Sequence, residues 1–305
     1  HTRLQGDWSS DVCSSDLKGG YAHFMLKEIF EQPKAVADTL IGRLHGGKIA
    51  LDELNLTSTE IKNLKKIVVL ACGTAYHAGM VAKYAIEKWS HIPVEVELAS
   101  EFRYRDPIVD KETLVIAISQ SGETMDTLMA LRHAKEAGAK VLAICNTNSS
   151  TIPRESDAVI YTHAGPEIAV ASTKAFLTQV VATYLIGLYL GQAVGTLSER
   201  QIEALYNEML ELPAKIEQIL ETVEPLRELT RSFADSSSVL FLGRHVGYPV
   251  ALEGALKLKE LAYMHAEGFA GGELKHGPIA LIDQGTPVIA IVPNTHDHGL
   301  DEKML

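Results

Sequence analysis

The sequence predicts an α/β protein with two doubly wound parallel sheets in tandem, the second of them incomplete. Between residues 67 and 161, short apolar runs alternate with longer amphipathic stretches, the pattern of a parallel sheet covered by helices on both faces. The same beginning occurs twice: the run Val239–Gly243 repeats the run Val68–Gly73, and a helical pattern follows each glycine. Because such a repeat, with a period of about 170 residues, outranks single motifs as evidence for a fold, we expect a second domain there.

Composition excludes several classes of protein. The chain has 305 residues, 46% of them hydrophobic, and no apolar stretch that we expect to span a membrane. Its net charge of −11 argues against nucleic-acid binding, which needs a basic surface. The cysteines Cys13, Cys72 and Cys145 lack metal-site or disulfide-framework spacing, so we expect no metal and a reducing, cytoplasmic environment. The glycine patterns of dinucleotide-binding and P-loop proteins do not occur, so we expect no cofactor.

Composition and pattern divide the chain into five segments. The first is rich in Ser and Asp, lacks the apolar core of a secretion signal, and is interpreted as a tag or sequence artefact outside the fold. The fourth is amphipathic and interrupted by Pro213 and Pro225, and the fifth ends soon after a predicted strand, Val288–Val292. The segments are 1–17 (tag or artefact), 18–50 (lead-in), 51–198 (first sheet domain), 199–235 (helical connector) and 236–305 (second sheet domain, truncated).

Five short apolar runs are predicted as the strands of the first sheet, with helices between them. Ligands of such sheets bind at the carboxyl ends of the strands, and the loops Gly73–Ala75 and Ser119–Thr124 lie at two such ends. The predicted strands are Ile67–Ala71, Val94–Leu98, Leu114–Ile118, Val141–Cys145 and Ala158–Tyr161, and the predicted helices are Tyr76–Trp89, Thr124–Ala137 and Ser172–Leu190.

The loop Ser119–Thr124, with the sequence Ser-Gln-Ser-Gly-Glu-Thr, is the first candidate binding site. It leads from a predicted buried strand into a helix whose first backbone N–H groups have no partner within the helix. Small hydroxyl side chains and one glycine around those donors would accommodate a phosphate dianion. The same residues also fit an ordinary turn with Ser or Thr as the N-cap, and this stretch alone leaves both interpretations open.

A second candidate lies on the helix Ala251–Glu260 of the repeated unit. Glu253, Lys257 and Glu260 are spaced at i, i+4 and i+7, which places two carboxylates and an ammonium group on one stripe. On most helices such a stripe is a solvated, ion-paired face, but this helix begins close to the predicted ligand edge. Further along, His276 lies between a lysine and a glycine in a tight turn, as a backbone-bonded turn residue or a proton-transfer group.

Taken together, these segments resemble the isomerase half of glutamine–fructose-6-phosphate aminotransferases, which consists of two sugar-isomerase (SIS) domains of flavodoxin-like fold. The loop Ser119–Thr124 alone indicates only a SIS domain, whereas Ala251–Glu260 with Gly272–Pro278 is far more specific. The likeness extends from Lys18 to about Asn294. The other matching runs are Lys27–Pro33, Ala71–Thr74, Ser100–Arg105 and Val170–Phe176.

The resemblance implies a reaction and a role for individual residues. The full-length enzyme would convert fructose 6-phosphate and glutamine-derived ammonia to glucosamine 6-phosphate. Glu260 would be the base that moves a proton between C1 and C2, and Lys257 would stabilise or relay charge. His276 would open the sugar ring from the neighbouring subunit of a homodimer. The substrate would be held by Thr74, Ser119, Gln120, Ser121, Thr124, Val170 (through its backbone) and Ser172.

The sequence also departs from the family pattern. Ala75 stands where many members carry a serine, so one hydrogen bond to the sugar would be lost or moved. The N-terminal glutaminase domain and the C-terminal tail, which in the family supplies an active-site lysine, are not in this sequence. We therefore expect a fragment, truncated at both ends, that keeps the phosphate site but has little activity.

Two other functions remain open. A non-catalytic SIS module that senses phosphosugars would need an effector domain, which the sequence does not show, and would have no use for Glu260, Lys257 and His276. A related phosphosugar isomerase or amino-sugar deaminase is disfavoured by the run Lys27–Pro33, which in the resembling family leads from the glutaminase half.

Overall fold

Two parallel sheets joined by a helical connector form the protein in the computed structural model, which describes residues 17–292. The interpretation of residues 1–16, with Cys13, lies outside the described residues, as does the part of the second domain after residue 292.

The first domain contains a five-stranded sheet, with two lead-in helices and a short hairpin before it. The helices are α1 (Phe24–Phe30), α2 (Gln32–Leu40), α3 (Ser58–Lys62), α4 (Thr74–Ser90), α5 (Ala99–Phe102), α6 (Met125–Glu136), α7 (Thr151–Glu155) and α8 (Lys174–Val194), with a 3₁₀ turn at Asp52–Leu54. The strands are β1 (Leu44–His45), β2 (Lys48–Ile49), β3 (Lys66–Ala71), β4 (Val94–Leu98), β5 (Thr113–Ser119), β6 (Lys140–Cys145) and β7 (Ala158–Tyr161). The order β4-β3-β5-β6-β7, parallel throughout, confirms the predicted doubly wound sheet and its five strands.

The central strands are buried on both faces, which explains why they read as continuous apolar runs. Along β3, Ile67 and Val69 pack into the hydrophobic cluster on one face of the sheet, whereas Val68 and Leu70 pack into the cluster on the other. This alternation follows from the two-residue repeat of a strand. The sheet therefore has a core on each side, and its carboxyl edge is left for a ligand.

Helix α8 corrects the expectation that no apolar stretch could span a membrane. It has 21 residues, and by length and composition alone it is apolar enough to cross a bilayer. However, Leu185, Ile186 and Leu188 are fully buried in the core of the first domain, together with much of the rest of the helix. Its apolar character is accounted for by packing against the sheet and α4.

The connector and the second domain follow α8. The connector consists of α9 (Glu199–Leu210), α10 (Leu212–Leu220) and α11 (Val223–Arg231), and Pro213 and Pro225 lie in the first turns of α10 and α11. The second domain contains β8 (Ser238–Gly243), α12 (Gly247–Ala262), β9 (His265–Ala270), 3₁₀ turns at Gly271–His276 and Pro278–Leu281, and β10 (Val288–Ile291).

The second sheet has the order β10-β8-β9 with parallel pairing, and one of its strands, β9, was not predicted. The sequence of β9, His-Ala-Glu-Gly-Phe-Ala, has too few large apolar side chains to be read as a buried strand. Gly268 permits its close approach to α12, since a Cβ atom there would lie 2.9 Å from Leu252 Cδ2. The strand is thus specified by pairing with β8 and packing against α12.

Candidate active site

The loop after β5 is folded around the hydroxyl of Ser119, the last residue of that strand. Ser119 Oγ accepts a hydrogen bond from the backbone N–H of Gly122 at 3.1 Å and lies 3.0 Å from Thr124 Oγ1. Thr124 is the N-cap residue of α6, but its side chain makes no capping hydrogen bond. The first N–H groups of α6 thus keep their capacity to donate, beside a ring of hydroxyl groups, which is the arrangement that binds phosphate.

Gly122 allows this loop to pass close to the next loop of the sheet. Its φ is +67°, and a Cβ atom at this position would lie 1.9 Å from Ser150 Oγ. The carbonyl of Gly122 accepts a 2.9 Å hydrogen bond from Ile152 N–H, while Glu123 accepts one of 2.7 Å from Thr151 N–H. Hydrogen bonding by Thr151 lowers the pKa of Glu123. These hydrogen bonds to the segment Ser150–Ile152 therefore fix the shape of the loop.

A cavity of about 160 Å³ lies above this loop, at the carboxyl edge of the first sheet. Six of the seven substrate-binding residues proposed from the sequence line it, whereas Val170 does not. Ala75, at the position where the family often has a serine, also lines the cavity and brings only a methyl group there. The lining residues are Cys72, Thr74, Ala75, Ile118, Ser119, Gln120, Ser121, Thr124, Ser172 and Gln179.

The segment before α8 carries Val170 and Ser172 and is organised by the carboxylate of Glu167. Ser172 Oγ donates a 3.0 Å hydrogen bond to this carboxylate, and the backbone N–H groups of Thr173 and Ala175 donate bonds of 2.8 and 3.1 Å. Val170 is 99% exposed and does not line the cavity. Ser172 is thereby fixed with its hydroxyl at the cavity.

A second carboxylate, from the lead-in helix α1, holds the same segment from the other side. Glu28 is 2% exposed, and its Oε1 accepts hydrogen bonds from the backbone N–H groups of Ile168 at 2.6 Å and Ala169 at 3.1 Å. Nearby, the buried Lys174 at the start of α8 donates to Glu31 at 2.7 Å. Burial raises the pKa of Glu31, but Lys174 and Lys27 outweigh it, so the pKa is lowered. The lead-in segment thus fixes the backbone around Val170.

The second domain contributes a charge cluster through α12, which packs against α4. Lys257 Nζ lies 2.6 Å from Glu260 Oε2 and 3.3 Å from Glu253 Oε1, and it donates a 2.9 Å hydrogen bond to Thr74 Oγ1. Thr74 in turn donates to Glu253 at 2.9 Å, and His77 Nδ1 lies 2.7 Å from the other oxygen of that carboxylate. The structure therefore joins Glu260 and Lys257 to the cavity through Thr74.

His276 is not part of this cluster. It ends an exposed 3₁₀ turn, and no hydrogen bond or ion pair of its side chain occurs within residues 17–292. Its place on the surface leaves it open to a second molecule. No group of three or more His, Cys, Asp or Glu side chains in that part of the chain is arranged for a metal ion.

Among the residues of this site that the sequence does not predict are Glu28, Gln179 and Glu253. Glu253 was noticed in the stripe on α12 but was given no role, although it connects the two domains. Glu28 lies in a run that carries the family resemblance, so that run was the available signal. No sequence signal points to Gln179, because a glutamine inside an apolar helix does not indicate which surface it faces.

Comparisons with known proteins agree with this geometry. The SIS domain family matches residues 60–189 and 232–303. The chain is 66% identical over 289 residues to the glutamine–fructose-6-phosphate aminotransferase (isomerizing) of Streptomyces coelicolor and 65% identical over 288 residues to that of Mycobacterium bovis. These alignments cover 94% of this chain but 46% of each relative, so the chain spans about half their length.

A solved structure extends the comparison to the fold. The C-terminal domain of glucosamine-fructose-6-phosphate aminotransferase from Francisella tularensis superposes with a TM-score of 0.90 at 45% identity, covering 94% of this chain and 80% of that one. The similarity therefore includes the tandem arrangement of both sheets.

Proposed function

The chain belongs to the SIS-domain family, among the C-terminal domains of glutamine–fructose-6-phosphate aminotransferases, and on this premise we propose that it is the sugar-phosphate isomerase part of such an enzyme. In the full-length enzyme, this part would combine fructose 6-phosphate with ammonia that a glutaminase domain releases from glutamine. The product would be glucosamine 6-phosphate.

The observation that carries this proposal is the double role of Thr74. Its side chain lines the cavity above the phosphate-type loop, and it also exchanges hydrogen bonds with Glu253 and Lys257. A phosphate bound by Ser119, Gln120, Ser121 and Thr124 would thus lie on one side of Thr74, with the charge cluster on the other. A sugar phosphate has its reactive carbons a few bonds from its phosphate, which suits this arrangement.

The roles of the individual residues follow from this placement. Glu260 would remove a proton from C1 of the open-chain sugar and return it to C2, by way of an enediol-type intermediate. Lys257, between Glu253 and Glu260, would stabilise the negative charge that develops on the sugar oxygens. Ser172 and the backbone of Val170 would hold the sugar hydroxyls.

We propose a cytoplasmic homodimer in which His276 opens the sugar ring in the neighbouring subunit. Its exposed position on a short turn supports this role, because a second chain can approach it. The free thiols of Cys72 and Cys145 favour a reducing compartment. No nucleic acid or membrane is expected among the partners.

Calorimetric titration with fructose 6-phosphate, fructose and inorganic phosphate tests the binding half of the proposal. We expect fructose 6-phosphate and phosphate to bind and fructose to bind far more weakly. Replacing Ser121 by Ala should weaken the binding of both phosphate-bearing ligands roughly ten- to a hundredfold, since a hydrogen bond to a charged group contributes about 1.5–3 kcal/mol. Ser232→Ala, on the exposed end of α11, is the control and should change neither. Absence of fructose 6-phosphate binding by the unmutated chain would overturn the proposal.

Deuterium exchange tests the chemical half. Incubation of fructose 6-phosphate with the protein in D₂O should replace a C1 hydrogen by deuterium, as followed by NMR, at a low rate in keeping with the little activity expected of this chain. Glu260→Gln should abolish the exchange while leaving the dissociation constant of fructose 6-phosphate nearly unchanged. Tight phosphosugar binding without any exchange would favour the sensing module over the isomerase.

A further inference from the structure

A glutamine inside the first domain lines the substrate cavity without a hydrogen-bond partner. Gln179 lies on α8, is 2% exposed, and contributes to the wall of the cavity together with Thr74 and Ser172. Its Oε1 atom is buried and accepts no hydrogen bond within residues 17–292. Buried polar groups are almost always paired, so an unpaired amide at a cavity wall points to a ligand.

Three other polar side chains of the cavity contrast with this amide. Thr74 is bonded to Glu253 and Lys257, Ser119 to Thr124, and Ser172 to Glu167. Gln192, on the same helix, shows what a satisfied amide looks like: it accepts from Ile49 N–H at 2.8 Å and donates to Ile49 O at 3.3 Å.

The chemistry of the amide identifies the part of the ligand that it binds. Its unpaired oxygen can only accept a hydrogen bond, and a phosphate dianion, which has no hydrogen to donate, could pair only with the amide nitrogen. A sugar hydroxyl can donate to the oxygen and accept from the nitrogen. Because the planar amide can turn about its last side-chain bond without changing its volume, either end can face the cavity.

From these observations we propose that Gln179 binds a hydroxyl group of the sugar and so distinguishes a phosphosugar from phosphate alone. The inference rests on the proposed function, because it takes a sugar phosphate as the ligand. It assigns Gln179 a part in specificity, separate from the phosphate-binding loop and from the proton transfer by Glu260.

Gln179→Met tests this inference, since methionine has nearly the same length and no amide. We expect the affinity for fructose 6-phosphate to fall about three- to tenfold and the affinity for inorganic phosphate to stay unchanged. The thermal midpoint should stay the same or rise, because the substitution removes an unpaired buried polar group. A residue that only stabilised the fold would lower the midpoint and affect both ligands alike.

Gln192→Met is the matched control on the same helix. It removes two hydrogen bonds to Ile49 and should lower the thermal midpoint while leaving both affinities unchanged. The inference would be overturned, while the proposed function stood, if Gln179→Met lowered the affinities for fructose 6-phosphate and phosphate equally. It would also be overturned if Gln179→Met lowered neither affinity. If the unmutated chain bound phosphate but not fructose 6-phosphate, both the proposed function and this inference would be overturned.

Discussion

The buried carboxylate of Glu28 allows a quantitative test of how the lead-in helix supports the segment Ile168–Ser172. Glu28→Ala removes the acceptor for the N–H groups of Ile168 and Ala169. Hydrogen bonds to a charged group contribute about 1.5–3 kcal/mol each, which gives about 3–6 kcal/mol for two. Two effects reduce this loss. Because Ile168 is half exposed, water can replace the carboxylate as the acceptor for its N–H group. The variant also no longer has to bury a charged carboxylate. We therefore expect the free energy of unfolding to fall by about 2–3 kcal/mol.

Urea unfolding followed by circular dichroism measures this loss, and two further variants calibrate it. Glu28→Gln keeps the shape of the side chain and one carbonyl acceptor, so its free energy of unfolding should fall by roughly half as much. Asp38→Ala breaks an exposed pair with Lys34 on α2 and should cost less than about 0.5 kcal/mol. Equal stability of Glu28→Ala and Asp38→Ala would refute the calculation.

The same variant should also affect ligand binding selectively. The segment that Glu28 holds carries Val170 and Ser172 but not the phosphate-binding loop. In calorimetry below the unfolding transition, Glu28→Ala is therefore expected to lower the affinity for fructose 6-phosphate several-fold. The affinity for inorganic phosphate should stay unchanged. A variant with lowered stability but unaltered selectivity would show that the clamp is structural only.

Two further predictions concern the phosphate-binding loop and the thiols beside it. Gly122→Ala places a Cβ atom against Ser150 at φ +67° and should weaken the binding of inorganic phosphate at least tenfold in calorimetry. Gly138→Ala, at φ +91° with its nearest neighbour 3.9 Å from the new Cβ atom, should not weaken it. Burial, followed by the charge of Glu123, raises the pKa of Cys145 to about 12, so only about one thiol in ten thousand is ionised at pH 8. In iodoacetamide labelling read by peptide mass spectrometry, Cys72 should react and be protected by saturating phosphate, and Cys145 should not react. Rapid labelling of Cys145, or labelling of Cys72 that phosphate does not slow, would contradict the assigned positions.

The first sheet could be predicted from the sequence because its signals are local. Each central strand is a continuous apolar run that is buried on both faces, and each helix between strands shows its own period. The strand β9 could not be predicted, since its residues are small or polar and its pairing with β8 depends on the folded second domain. The place of the loop Ser119–Thr124 at the carboxyl end of β5 follows from the sequence for the same reason, because all its groups belong to one short stretch.

The rest of the site depends on contacts between distant segments, which spacing along the chain does not reveal. Glu28 and Ile168 are 140 residues apart, and Thr74 and Glu253 are 179 residues apart. Each pair is brought together only after the lead-in helix or the second domain has packed against the first sheet. A carboxylate at either position has the same local sequence pattern as a solvated one, so its burial could not be foreseen.

The stripe on α12 shows why the common interpretation of such spacing fails here. The side chains of Glu253, Lys257 and Glu260 are 8%, 19% and 34% exposed, so burial decreases steadily along the helix. The inner carboxylate is bonded to Thr74 and His77 of the first domain, whereas the outer one lies nearer to solvent. Both α4 and α12 follow the carboxyl end of a strand, and the two helices pack against each other. A stripe that would be an ion-paired surface on one domain thus becomes, between two, a means of holding Lys257 and Glu260 beside the phosphate-type cavity.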